Sequence, residues 1–170
     1  GKTILVADTN VQDFPSPQRL VNVSKSCVRV SRLFGFDPKV AFLSHSTFGK
    51  PISKNTKHVR DAIDLLKKEK VDFDFDGEMQ PDVALNPIYQ EIYPFSKIVG
   101  NANILIMPAL HSAAISTKLM KVFGGGKLIG PLLIGLGLPI EVAPLRSSTS
   151  DILNLASIAA YSSDIIDYTV

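Results

Sequence analysis

Hydrophobic and polar positions alternate along the chain in two periods. Between Ser16 and Phe34 the apolar residues Leu20, Val23, Cys27, Val30 and Phe34 recur at steps of three and four, the period of one buried helix face. Pro17 just inside the start and Gly35 just past the end fit the asymmetry of helix termini. Lys39–Ser44 is a short apolar run of the kind that forms a strand buried on both faces. A polar loop from Ser44 to Asn55 follows, then a second helix from about Thr56 to Lys70 with Val59, Ile63 and Leu66 on one face. Val71 to Asp76 alternates Phe73 and Phe75 with Asp72, Asp74 and Asp76, which predicts a strand with one wet side. Asn103–Pro108 predicts another strand, Ser112–Phe123 a helix stopped by Gly124, Gly125 and Gly126, and Ser148–Ala160 a final helix. The apolar run at the start of the chain, Gly1 to Asp8, is strand-like.

Strands alternating with helices through short connections predict an α/β fold with a mainly parallel sheet. In such sheets ligands sit beyond the carboxyl ends of the strands, which nominates the loops after Ser44, Asp76, Pro108 and Ala143. The most apolar stretch, Leu128 to Ile140, is broken by Gly130, Pro131, Gly135, Gly137 and Pro139 and is shorter than the roughly 20 residues of a spanning helix. It reads as buried strands and turns, or as an oligomer contact.

Length and composition narrow the class. At 170 residues the chain fits one domain of about 150 residues, 1–170, able to bury roughly 70% of its unfolded surface. With 45% hydrophobic and 20% charged residues it is neither a disordered tail nor a fibre. A formal net charge of +2, spread along the chain, lacks the footprint of a nucleic-acid binder. The single cysteine, Cys27, permits no intrachain disulfide and falls on the buried helix stripe; a cytoplasmic protein is the default expectation, with no membrane partner. The start without methionine reads as a domain excised from a longer chain.

Two motif imitations are discarded. Asp72-Phe73-Asp74-Phe75-Asp76-Gly77 copies the opening of a calcium loop, but the twelfth place is Val83 and no bidentate carboxylate is supplied. Gly124-Gly125-Gly126-Lys127 copies the end of a P-loop, but Leu128 replaces the hydroxyl residue that binds magnesium. His45, His58 and His111 lack metal-ligand spacing, so no metal site is expected.

Three segments carry candidate chemistry. Ser44-His45-Ser46-Thr47-Phe48-Gly49 offers hydroxyls and a glycine at a strand end, so Ser44, Ser46, Thr47 and Gly49 are candidates to surround a phosphate or carboxylate; a hydroxyl-rich turn satisfying its own backbone is the alternative. Asp76-Gly77-Glu78 gathers carboxylates beside a glycine, with Asp76 and Glu78 as candidates to polarise a thiol or orient an amine, or as members of a solvated turn. Arg146-Ser147-Ser148-Thr149-Ser150-Asp151 precedes the last helix: Ser148 with Asp151 forms a capping box, or the helix start with Arg146 and Ser147 forms a second anion site.

Taken together these loops resemble the second lobe of the phosphate acetyl/butyryl transferase family. The matching segments are Lys39–Gly49, Asp76–Asn86, Ala102–Pro108, Leu128–Leu136 and Ser150–Asn154, in the family's order across almost the whole chain. Within it, Ser44-His45-Ser46-Thr47-Phe48-Gly49, Tyr93-Pro94-Phe95-Ser96 and Met107-Pro108-Ala109-Leu110-His111-Ser112-Ala113 resemble the C-terminal domain fused to bacterial NADP-dependent malic enzymes. The resemblance implies a three-layer α/β/α fold of the isocitrate/isopropylmalate dehydrogenase-like type, of which this chain is the second lobe. It implies binding of acetyl-CoA or an acyl phosphate, and a homo-oligomer, at least a dimer. It places a first transferase lobe and an N-terminal malic enzyme domain, holding NADP and a divalent metal, in the same parent chain.

The departure from the family carries as much as the match. In active transferases the last motif resembles Ser-Arg-Gly-Cys-Ser-x-x-Asp, whose first serine, arginine and aspartate belong to the active site; of these three, Pro144 here takes the serine position, Leu145 the arginine position, and only the aspartate is retained, as Asp151. Loss of a positioned cation removes charge stabilisation of the transition state. The resemblance therefore implies an acyl-CoA-responsive regulatory and oligomerisation domain with its transferase chemistry lost and no cofactor of its own, and a fragment inactive by itself. An active phosphate acetyltransferase or butyryltransferase using Arg146, and a purely structural dimerisation lobe, are the alternatives.

Overall fold

The computed structural model describes residues 2–7, 12–136 and 138–165. The chain divides into two compact units, Gly1–Ser116 and Thr117–Val170.

The first unit is an α/β layered structure. Four strands, β1 (Leu5–Ala7), β2 (Lys39–Leu43), β3 (Asp74–Met79) and β4 (Ile104–Ile106), form one sheet in the order β1-β4-β2-β3. Every pairing is parallel, with Val40 and Phe42 of β2 opposite Ile104 and Ile106 of β4. Parallel strands need crossovers, and here helices cover both faces, which is why β2 and β4 read as continuous apolar runs. On one face Val40, Phe42, Ile104 and Ile106 pack with Leu20, Val21 and Val28 of α1 (Pro17–Leu33) and Val59, Ile63 and Leu66 of α2 (Lys57–Glu69). On the other, Ala41, Leu43 and Leu105 pack with Met79, with Ala84 of α3 (Pro81–Leu85), with Ile98 and Ala102, and with Ala113 of α4 (Leu110–Phe123). Each buried Val, Leu, Ile or Phe contributes about 1.5–3 kcal/mol of transfer free energy.

The termini of α1 agree with the sequence pattern. Ser16 caps it by accepting from the Arg19 amide at 3.2 Å, Pro17 opens it, and Gly35 follows it with φ +77°. The buried face is wider than the predicted stripe: Val21, Ser24, Val28 and Ser31 are buried beside Leu20, Cys27 and Val30, while Val23 is only half-buried. A helix lying across a sheet buries more than one row of side chains, and the serines fit because Ser24 Oγ donates to the Val21 carbonyl at 2.7 Å.

Two expectations need correction. The strand placed at Val71–Asp76 runs instead from Asp74 to Met79. Gly77, taken as the end of the strand, lies inside it opposite Phe42, where a Cβ would come within 2.7 Å of the Phe42 carbonyl oxygen and φ is +143°. Glycine marks a close approach of two strands here, and the register then shifts so that Leu43 pairs with Met79. Among the described residues the run Leu128–Ile140 contains no strand, and its large apolar side chains are not buried: Leu128, Ile129, Ile134, Leu136, Leu138 and Ile140 all lie between 41% and 66% exposed. Glycines and prolines every few residues prevent the ladder that would have buried them. Gly1, Asp8 and Gly137 lie outside the described residues.

In the second unit the last helix, α5 (Thr149–Ile165), starts one residue after Ser148. Leu155 is its buried anchor, whereas Ile152 and Leu153 are exposed.

Candidate functional site

The Ser44–Gly49 loop leaves β2 at the carboxyl edge of the sheet, beside the end of β3. Backbone bonds fix it there: the Ser44 amide donates to the Met79 carbonyl at 2.9 Å, the Phe48 amide to the Glu78 carbonyl at 2.7 Å, and the Thr47 amide to the Lys50 carbonyl at 2.9 Å. The Gln80 side chain closes it from outside by donating to the His45 carbonyl at 2.7 Å, while the Gln80 backbone amide donates to Thr47 Oγ1 at 3.2 Å.

At the centre of the loop is a carboxylate. Glu78 is 1% exposed, and its Oε1 accepts from Ser46 Oγ at 2.7 Å, from the Gly49 amide at 3.2 Å and from Arg60 Nη1 at 3.0 Å. Arg60 is held in turn by Thr56 Oγ1 and by the Ser53 carbonyl at 2.9 Å. A buried carboxylate without partners costs several kcal/mol, and this one has a cation and two further donors on one oxygen. The hydrogen-bond direction of the neighbouring hydroxyls follows. Ser46 has one hydroxyl proton and gives it to Glu78, so in the 3.2 Å contact between Ser44 Oγ and Ser46 Oγ the donor is Ser44.

Asp76 does not join Glu78. Its Oδ1 accepts from the Gly77 amide at 2.9 Å and its Oδ2 from the Lys97 amide at 2.7 Å, tying the strand to the segment before β4. Nearby, the rings of Phe48, Tyr93 and Phe95 form a cluster with centroids 4.9 to 6.1 Å apart.

In the second unit Ser148 and Asp151 make a reciprocal cap. Asp151 Oδ2 accepts from Ser148 Oγ at 2.7 Å and from the Ser148 amide at 3.0 Å, and the Asp151 amide returns to Ser148 Oγ at 3.2 Å. The Ser148 hydroxyl and amide, with weaker help from Lys127 and Lys121, hold the Asp151 carboxyl below the usual aspartate range. Lys127 reaches Ser150 Oγ at 2.8 Å and lies 3.8 Å from Asp151. Arg146 is exposed in the turn before α5, and the Ser147 amide donates to the Pro144 carbonyl at 2.9 Å.

Of the residues nominated from sequence, Ser44, Ser46, Gly49 and Glu78 therefore meet in one network, Thr47 borders it and Asp76 faces elsewhere, while Arg146, Ser147, Ser148 and Asp151 belong to the capped turn of the second unit. The sequence reading missed Arg60, Thr56, Ser53, Gln80 and Lys127. A signal for Arg60 existed: it stands beside Val59 and three residues before Ile63, a cation at the margin of a buried stripe. Among the described residues no group of three or more His, Cys, Asp or Glu could hold a metal ion. No described helix is long and apolar enough to cross a membrane.

Comparison with known proteins places the chain. It is 46% identical over 161 residues to the NADP-dependent malic enzyme of Rhizobium meliloti (strain 1021), covering 95% of this chain and 21% of that protein. It is 32% identical over 155 residues to the phosphate acetyltransferase of Bacillus subtilis (strain 168), covering 91% of this chain and 48% of that enzyme. The phosphotransacetylase structure from Streptococcus pyogenes superposes with a TM-score of 0.90 at 32% identity, over 96% of this chain and 50% of that one. The chain thus spans about a fifth of the malic enzyme and about half of the acetyltransferases. Residues 1–160 match the model of the family described as phosphate acetyl/butaryl transferase. With the parallel sheet, the strand-end loops and these relatives in agreement, the chain belongs to the phosphate acetyl/butaryl transferase family.

Proposed function

We propose that this chain is the acyl-CoA-responsive regulatory and oligomerisation domain of a malic enzyme, with acetyl-CoA as effector and its own transferase chemistry lost. The observation that carries the reading is the turn before α5, where Pro144 and Leu145 occupy the positions that resemble the transferases' serine and arginine. Leu145 is fully exposed and Arg146 projects from the same turn. The retained Asp151 is engaged by Ser148 in a helix cap. Similarity to malic enzymes over nearly the whole chain supports the parent assignment.

In this reading a separate N-terminal domain holds NADP and the divalent metal and decarboxylates malate oxidatively, while a first transferase lobe completes the acyl-CoA site. Acetyl-CoA acts by having different affinities for two arrangements of a cytoplasmic homo-oligomer, at least a dimer. The exposed apolar run Leu128–Ile140 supplies a self-complementary patch for that assembly. The test is malate turnover by the parent protein across a range of acetyl-CoA. A change in turnover that disappears when this domain is deleted is expected; rates indifferent to acetyl-CoA contradict regulation. Light scattering that finds a monomer at all concentrations contradicts the oligomer.

A second reading, an active phosphate acetyltransferase or butyryltransferase, is favoured by the similarity to the Bacillus subtilis enzyme. It requires Arg146 to act from one position later than the family's arginine, with Asp151 released from its cap while CoA thiolate attacks acetyl phosphate. Catalytic positioning tolerates little displacement, so the first reading stands ahead.

A further inference from the structure

We propose that Glu78 is the specificity-determining residue of the Ser44–Gly49 loop: its carboxylate occupies the anion position inside the loop and, with Arg60, closes that position to phosphate and carboxylate ligands. This goes beyond the acyl-CoA reading and does not depend on it.

A hydroxyl-rich, glycine-containing turn at a strand end collects donors that suit an oxyanion. Here those donors have already converged. Ser46 Oγ, the Gly49 amide and Arg60 Nη1 all reach the same oxygen, Glu78 Oε1, at 2.7, 3.2 and 3.0 Å. Ser46 is fully buried and Glu78 nearly so, so a second anion brought to these donors would meet the Glu78 charge with little water between them. Arg60 is no reserve cation, because its remaining bonds to Thr56 and Ser53 keep it turned toward Glu78. A ligand approaching this strand end therefore meets the loop through its neutral parts, and its charged groups must be held elsewhere.

Two measurements test this. The first uses the wild-type chain, followed by amide NMR while inorganic phosphate replaces chloride at constant ionic strength. The Ser46 and Gly49 amides should not move with a saturable dependence; saturable movement there overturns the proposal. The second removes the internal anion with Glu78→Ala, which leaves Ser46, Gly49 and Arg60 around a vacant carboxylate position. Formate should raise the melting temperature of Glu78→Ala well above any rise in wild type, and adding Arg60→Met should abolish the difference. Equal rises in wild type and Glu78→Ala overturn it. If Glu78→Ala does not fold in chloride, Glu78→Ser, which also empties the carboxylate position, takes its place with the same formate-dependent rise expected, and an absent rise there also overturns it.

Discussion

Glu78 and Asp151 are bound in nearly the same way and differ in what surrounds them. Each accepts a serine hydroxyl at 2.7 Å, each accepts a backbone amide, and each has a basic side chain nearby. Glu78 lies under the end of a parallel sheet at 1% exposure, whereas the Asp151 side chain, at the start of α5, is 39% exposed. The same bonds therefore have different consequences. In the interior an unmade bond leaves a charge that water cannot reach; at the surface, water and salt replace what is lost. Hydrogen-bond geometry alone does not rank two sites, and burial decides which one the fold depends on.

The largest effect expected from this contrast is at the Arg60–Glu78 pair, where the carboxylate is buried and the arginine side chain is 32% exposed. Arg60→Ala leaves Glu78 buried without its cation, and because water can partly take the place of the half-buried arginine, the loss should be about 3 kcal/mol, the low end for a broken buried pair, read as a lower urea midpoint with an unchanged slope. A loss below about 1 kcal/mol would place Glu78 in the same class as an exposed carboxylate.

Next comes the backbone approach that brings Glu78 under the loop. Gly77→Ala sets a Cβ 2.7 Å from the Phe42 carbonyl oxygen at a φ of +143°, so destabilisation of more than about 1 kcal/mol is expected in the same unfolding experiment. Near-neutral behaviour would show that the β2–β3 approach relaxes without cost.

The smallest effect belongs to Asp151. Its folded pKa is lowered chiefly by the Ser148 hydroxyl, so its contribution is present above the ordinary aspartate range and disappears as pH falls through the lowered value. Ser148→Ala should return the Asp151 carboxyl toward ordinary titration, followed by NMR, whereas high salt should remove from the wild-type lowering only the part owed to Lys127 and Lys121. An unaltered titration curve in Ser148→Ala would remove the cap as its cause.

The same contrast explains what could be read from the sequence. The helix over α1 and the strands β2 and β4 were legible because burial writes a period into a single segment, and Ser148–Asp151 because a cap spans only four residues. The network around Glu78 was legible only in pieces. Its members come from β3, α2 and the loop after β2, and Arg60 is eighteen positions from the carboxylate it pairs with. Each nominated piece fitted a candidate site and an ordinary turn alike, and nothing local joined Arg60 to them. The end of β3 was misplaced for a related reason: the alternation of Phe and Asp stops at Asp76, and only the neighbouring Phe42 backbone shows the strand continuing through Gly77. Of the two readings of Leu128–Ile140, burial in strands fails while the oligomer contact is left open, because hydrophobicity shows what favours burial without showing what buries it.

The most direct test of the central claim is CoA-dependent formation of acetyl-CoA from acetyl phosphate, assayed on a protein that contains both transferase lobes and is shown to be folded. The account predicts no turnover, because Pro144 and Leu145 supply neither the hydroxyl nor the cation and Asp151 remains in its cap. Turnover at ordinary enzymatic rates would contradict it and identify the domain as a working transferase.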